Sequence, residues 1–157
     1  MTNRIVLSLA LCITFTANSY AQKVMTFQDA EKQGKSFQHL DSLYKSAVSS
    51  DIKLAVFKTK KQQENLQKAY VLFIQSLASY LKANHFTWDK QVRCFNRIYF
   101  DKNGKVDYFL YNFPKNEITT EKEKEFARLL GLFVKDHKLT LTANEGFAQC
   151  SPIKYAD

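Results

Sequence analysis

Residues 92–113 read Val-Arg-Cys-Phe-Asn-Arg-Ile-Tyr-Phe-Asp-Lys-Asn-Gly-Lys-Val-Asp-Tyr-Phe-Leu-Tyr-Asn-Phe. Val92 to Phe100 and Val106 to Phe113 are rich in β-formers, and Asp101-Lys102-Asn103-Gly104 separates them. Two such runs around an Asn-Gly turn predict a β-hairpin. Two registers are open. A two-residue turn sets Phe100 opposite Asp107. A three-residue turn, with Gly104 left-handed in a bulge, sets Phe100 opposite Val106 and Ile98 opposite Tyr108. The second sorts the faces better, because a shift of one residue moves every side chain to the other face. It puts Cys94, Ile98, Phe100, Val106, Tyr108 and Leu110 on one face. Arg93, Phe95, Arg97, Tyr99, Asp107, Phe109, Tyr111 and Phe113 fall on the other.

Beyond the hairpin, Pro114 ends the second run. Thr120-Glu121-Lys122-Glu123 is a capping box with acidic residues in the first turn, which predicts a helix there. Phe126, Leu129, Leu130, Phe133 and His137 share one side of that helix. Leu139 to Thr142 reads as a short alternating strand, and Phe147 to Lys154 as a final one. Pro152 assigns the final strand to an edge or a bulge. Before the hairpin the pattern turns helical. Phe27 to Gln33 predicts a short helix stopping at Gly34. Ser36 caps a second helix carrying Phe37, Leu40, Leu43, Tyr44, Ala47 and Val48. Thr59-Lys60-Lys61-Gln62 is a capping box opening a long helix to about Asn84. Its stripe is Leu66, Ala69, Tyr70, Phe73, Ile74, Leu77 and Leu81, widened by Val71 and Leu72. The expected fold class is α+β: one domain over 22–157, with a helical front half (22–85) packed on a small antiparallel sheet (86–157).

The whole chain has 157 residues, 45% of them hydrophobic and 14% aromatic, with four Gly and two Pro. That composition excludes a disordered or collagen-like chain. Residues 1–21 contain the only long uncharged stretch, so a polytopic membrane protein is excluded and no stable membrane span is expected. Arg4, the apolar run Ile5 to Phe15 and Ser19-Tyr20-Ala21 together predict a cleaved secretory signal peptide. The mature chain then begins at Gln22, and a periplasmic or secreted location is expected.

The phrase Ile98-Tyr99-Phe100-Asp101-Lys102-Asn103-Gly104-Lys105-Val106, followed by an amphipathic helix and a strand with Ser151-Pro152-Ile153, resembles the C-terminal domains of the TonB/TolA type. The resemblance covers the back half of the chain. It implies a small periplasmic α+β module that contacts other proteins. In that order of elements, a right-handed crossover brings the last strand beside the first hairpin strand and parallel to the second. Cys94 and Cys150 then lie on neighbouring strands. They are the two cysteines left after cleavage, and an oxidising compartment favours a disulfide between them. The bridge would close a loop worth about 4 kcal/mol of chain entropy.

No catalytic frame is legible. His39, His85 and His137 lie far apart without metal-ligand spacing, and no nucleophile elbow or phosphate-binding glycine loop occurs. No catalytic residue, metal or cofactor is therefore expected. The 23 Lys+Arg outnumber the 15 Asp+Glu. Only Arg93, Arg97 and Arg128 among residues 22–157 are arginines, which disfavours nucleic acid and leaves an anionic surface as a partner. The candidate binding residues are Arg93, Arg97, Tyr99, Phe109 and Tyr111, because aromatics interleaved with arginine are enriched in interfaces. The competing expectation is that the front helices bury these aromatics and leave the two arginines at the margin. The functional expectation is an exported, non-catalytic binding or adaptor module of the bacterial envelope that contacts another protein. The alternatives are a small cysteine-dependent enzyme and a basic binder of anionic envelope polymers.

Overall fold

The structure is a computed structural model and describes residues 23–157; the expected signal peptide and its Ala21/Gln22 junction lie outside the described residues. The chain runs β1 (Val24–Thr26), α1 (Phe27–Lys32), α2 (Phe37–Leu43), β2 (Lys45–Ser46), α3 (Lys60–Ala83), β3 (Val92–Phe100), β4 (Val106–Asn112), α4 (Thr120–Asp136) and β5 (Phe147–Tyr155). This is the expected α+β class. The sheet is larger than expected: five strands in the order β1-β4-β3-β5-β2. The hairpin β3–β4 is antiparallel, and β5 runs antiparallel to β3, hence parallel to β4 as the crossover requires. The two edge strands, both from the front half, pair in parallel with β4 and β5.

The hairpin forms around Asp101, whose carboxylate accepts from the backbone N–H groups of Asn103 and Lys105, each at 2.8 Å. Gly104 sits at φ +82°, where only glycine is unstrained, and a Cβ there would collide with the Leu139 carbonyl oxygen. The collision shows what residues 139–143 do. They form no strand. They strap the turn, with Leu139 N–H donating to Gly104 O and Ala143 N–H to Lys102 O, both at 2.9 Å.

Phe100 faces Val106, as the three-residue turn requires. The register then shifts, and Tyr99 pairs with Tyr108 and Ile98 with Phe109. Asp107 is the extra residue of a β-bulge. Its carboxylate accepts from the Tyr44 hydroxyl at 3.0 Å. One inserted residue turns the rest of β4 over. Phe109 and Tyr111 therefore join Cys94, Ile98 and Phe100 beneath α3 and α4, while Tyr108 and Leu110 join Tyr99 on the far side.

α3 starts at the Thr59–Gln62 capping box and buries Leu66, Ala69, Tyr70, Phe73, Leu77 and Leu81. Val71 and Leu72 are exposed, so the buried stripe is narrower than expected. α4 is capped by Thr119, one residue before the expected position, and buries Phe126, Leu129, Leu130, Phe133 and Val134. The main core lies between these helices and the sheet. On the other face α1 and α2 cover a smaller cluster of Met25, Ala30, Leu40, Tyr99, Leu110 and Ala148. α2 stops at Leu43, short of Val48, because the chain turns extended to pair Lys45 with Phe147 and Ser46 with Ala148. Among the described residues no helix is long and apolar enough to cross a membrane.

Candidate functional site

The five sequence-predicted residues do not share a face. Phe109 is fully buried beneath the long helices, and Tyr111 packs edge-on to Phe126 at 5.3 Å between ring centroids. Burial pushes the Tyr111 phenol up, with the nearby Glu123 adding to the shift. The bulge at Asp107 placed both rings there, and neither reaches solvent as a contact residue.

Tyr99 is also fully buried, on the α1–α2 side. Its hydroxyl donates to Asp41 Oδ1 at 2.9 Å. Arg97 grips the same carboxylate with both arms, Nε to Oδ1 at 2.9 Å and Nη2 to Oδ2 at 2.6 Å. Burial pushes the Tyr99 phenol up, and the Asp41 bond holds it there against the pull of Arg97. A bidentate, charge-assisted pair of this kind fixes orientation as well as energy. Here it clasps α2 onto β3. Arg97 is thereby spent on structure.

The expected Cys94–Cys150 disulfide is absent, and both thiols are free. The strands are neighbours as expected, but Cys94 pairs with Ile153 and Cys150 with Arg97. That odd offset puts the sulfurs on opposite faces of the sheet. Cys94 lies under α3 in a polar cluster. Its Sγ donates to Asn96 Oδ1 at 3.2 Å, and Asn96 Nδ2 donates to the Tyr155 hydroxyl at 2.8 Å. The Tyr70 and Ser151 hydroxyls bond beside it. Burial pushes the Cys94 thiol up to about 12, which leaves it protonated and a poor nucleophile. Cys150 is exposed on the other face.

One half of the α1–α2 face remains open. The short helices cover the end at Tyr99, and α1 reaches Phe95 only through its first residue, Phe27, leaving Phe95 40% exposed between Asn112 and Pro152. Phe27 packs against Phe95 at 6.0 Å and against the exposed Phe37 at 6.3 Å, so three rings run from helix to sheet. Arg93, its side chain 69% exposed, pairs across the sheet with exposed Lys154. Like charges directly opposite are unfavourable in a sheet. Glu117 relieves them in part. Its Oε1 lies 3.6 Å from Arg93 Nε and accepts from the Arg93 backbone N–H at 2.7 Å. The backbone bond and the Arg93 charge hold the Glu117 carboxyl below its usual range. This aromatic run with two adjacent cations is suited to an acidic partner surface with an apolar centre.

Sequence reasoning named Arg93, set Phe95 on the same hairpin face without making it a candidate, and missed Phe27, Phe37, Pro152 and Lys154. Phe27 and Phe37 read as helix residues, and only the folded sheet sets them beside Phe95. The histidines lie elsewhere: His137 stacks on Phe133 at the end of α4 with Nδ1 3.0 Å from the Phe133 carbonyl oxygen. His39 and His85 are exposed. Among the described residues no group of His, Cys, Asp and Glu side chains is arranged to hold a metal ion. Comparison with family models, with curated proteins and with solved structures gave no match to this chain.

Proposed function

We propose that this protein is an exported binding module of the bacterial envelope that docks another protein on the open half of its sheet. The observation that carries the reading is the pair of exposed rings Phe37 and Phe95, bridged by the half-buried Phe27, beside Arg93 and Lys154. Exposed aromatics next to arginine are the residues that most often anchor interfaces. The strand, helix and strand order of the back half supports the reading through its resemblance to TonB/TolA-type modules. The signal-like residues 1–21 support a periplasmic or secreted site of action. Against the cysteine-enzyme alternative stands the Cys94 thiol, held protonated by burial and bonded to Asn96 rather than to a base.

The reading is tested with a photo-crosslinking residue placed at Phe95 in exporting cells. An adduct of discrete mass should form there, and Arg93→Glu should abolish it. The same probe at Gln67, exposed on α3, should give none. Equal adducts from both positions, or none from Phe95, contradict the proposal.

A further inference from the structure

A cleft of about 850 Å³ lies between the C-terminal half of α4 and the start of β1 and β4. Small-molecule sites are about 300–1,000 Å³. It owes its room to Gly131. A Cβ at this position in α4 would meet nothing within 4 Å, so the helix leaves open space where a side chain would project. The floor is apolar, built from Val24, Val106, Ala127, Leu132 and Val134.

The rim is cationic. Lys23, Lys105, Arg128, Lys135 and Lys138 line the cleft, with Asp136 the one carboxylate among the described lining residues. Three of these lysines come from separate segments that the fold gathers near Val106. Lys23 Nζ donates to the Val106 carbonyl oxygen at 3.0 Å and keeps two further hydrogens. Lys105 directly precedes Val106. Lys138 precedes Leu139, which is bonded to Gly104. Arg128 is taken by Glu125 at 2.7 Å, and His137 is stacked on Phe133. The C-terminus of α4 offsets part of the positive field, but it cannot neutralise three lysines.

We propose that this cleft binds a fatty carboxylate, with its acyl chain on the Val24, Val106 and Leu132 floor and its carboxylate among Lys23, Lys105 and Lys138. A small inorganic anion would leave the floor unused. A neutral amphiphile would leave the lysines without a counter-charge. The site is independent of the open sheet face, because α4 packs on the opposite side of the sheet, and either assignment can fail alone.

The experiment titrates the purified protein calorimetrically with dodecanoate, dodecyltrimethylammonium and dodecyl maltoside below their micellar concentrations. It adds phosphatidylglycerol vesicles as a fourth arm. Dodecanoate should bind saturably at one site, about tenfold or more tighter than the cationic or neutral amphiphile. Gly131→Phe should fill the cleft and weaken dodecanoate by about tenfold or more, with the melting temperature of the free protein maintained, since helix propensity improves. Lys105→Glu with Lys138→Glu should weaken it similarly and leave dodecyl maltoside unchanged; this pair keeps the test decisive if Gly131→Phe fails to fold. Equal binding of the cationic amphiphile, dodecanoate binding unchanged in the variants, binding to vesicles alone, or a self-associated protein that Gly131→Phe dissociates would each overturn the proposal.

Discussion

The two faces of the sheet carry the same strands and end in different states. Beneath α3 and α4 the face is closed: Ile98, Phe100, Phe109, Phe126, Leu129 and Phe133 are fully buried. Under α1 and α2 it is closed at one end and open at the other. The cause is the reach of the cover. α3 has 24 residues and α4 has 17, whereas α1 has six and α2 seven. At about 1.5 Å per residue, the short helices span roughly 10 Å each. The nine residues of β3 span about 30 Å. Two short helices cannot screen it, and the uncovered end falls at Arg93 and Phe95. The open end on this side is a consequence of helix length, and the Asp41–Arg97 clasp holds α2 over the other end.

This contrast can be broken by substitution. Phe109→Ala removes a fully buried ring from the closed face and should cost about 3–5 kcal/mol in urea unfolding. Phe95→Ala, at the open end, should cost less than about 1 kcal/mol. Similar costs for the two would mean that the faces are equally covered.

Asp41→Ala should cost about 1.5–3 kcal/mol, because it removes both carboxylate bonds of the half-buried Arg97 guanidinium and leaves the Tyr99 hydroxyl as the partner of that charge. It should also loosen α2. Hydrogen exchange should then quicken in residues 37–43 while α3 stays protected. Equal protection of α2 in both proteins would remove the clasp from the account.

The features legible in the sequence were those with local chemistry. Thr59 and Gln62 announce the start of α3 by a reciprocal cap, and Asn103-Gly104 announces the hairpin. The turn left two registers open, and the face pattern selected the one with Phe100 opposite Val106, which the structure shows. What escaped was decided by partners distant in sequence. The bulge at Asp107 is held by Tyr44, 63 residues earlier, and no local pattern encodes it. It moved Phe109 and Tyr111 out of the candidate site and left Arg93 and Phe95, which sit on β3 and are unaffected by the turnover of β4. β2 has two residues and so no periodicity to read. Residues 139–142 alternate like a strand, yet their backbone bonds go to the Gly104 turn. The disulfide expectation had the right strands in the right order and failed on register, since Cys94 and Cys150 lie three residues apart along the pairing and point to opposite faces.

That register offers the most direct test of the two-faced sheet. The protein is treated with a thiol-labelling reagent, first native and then unfolded, and labelled peptides are identified by mass spectrometry without reduction. Cys150 should label in the native protein and Cys94 only after unfolding, with two free thiols in total. A peptide pair joined through Cys94 and Cys150 would place both sulfurs on one face and contradict the register on which the account stands.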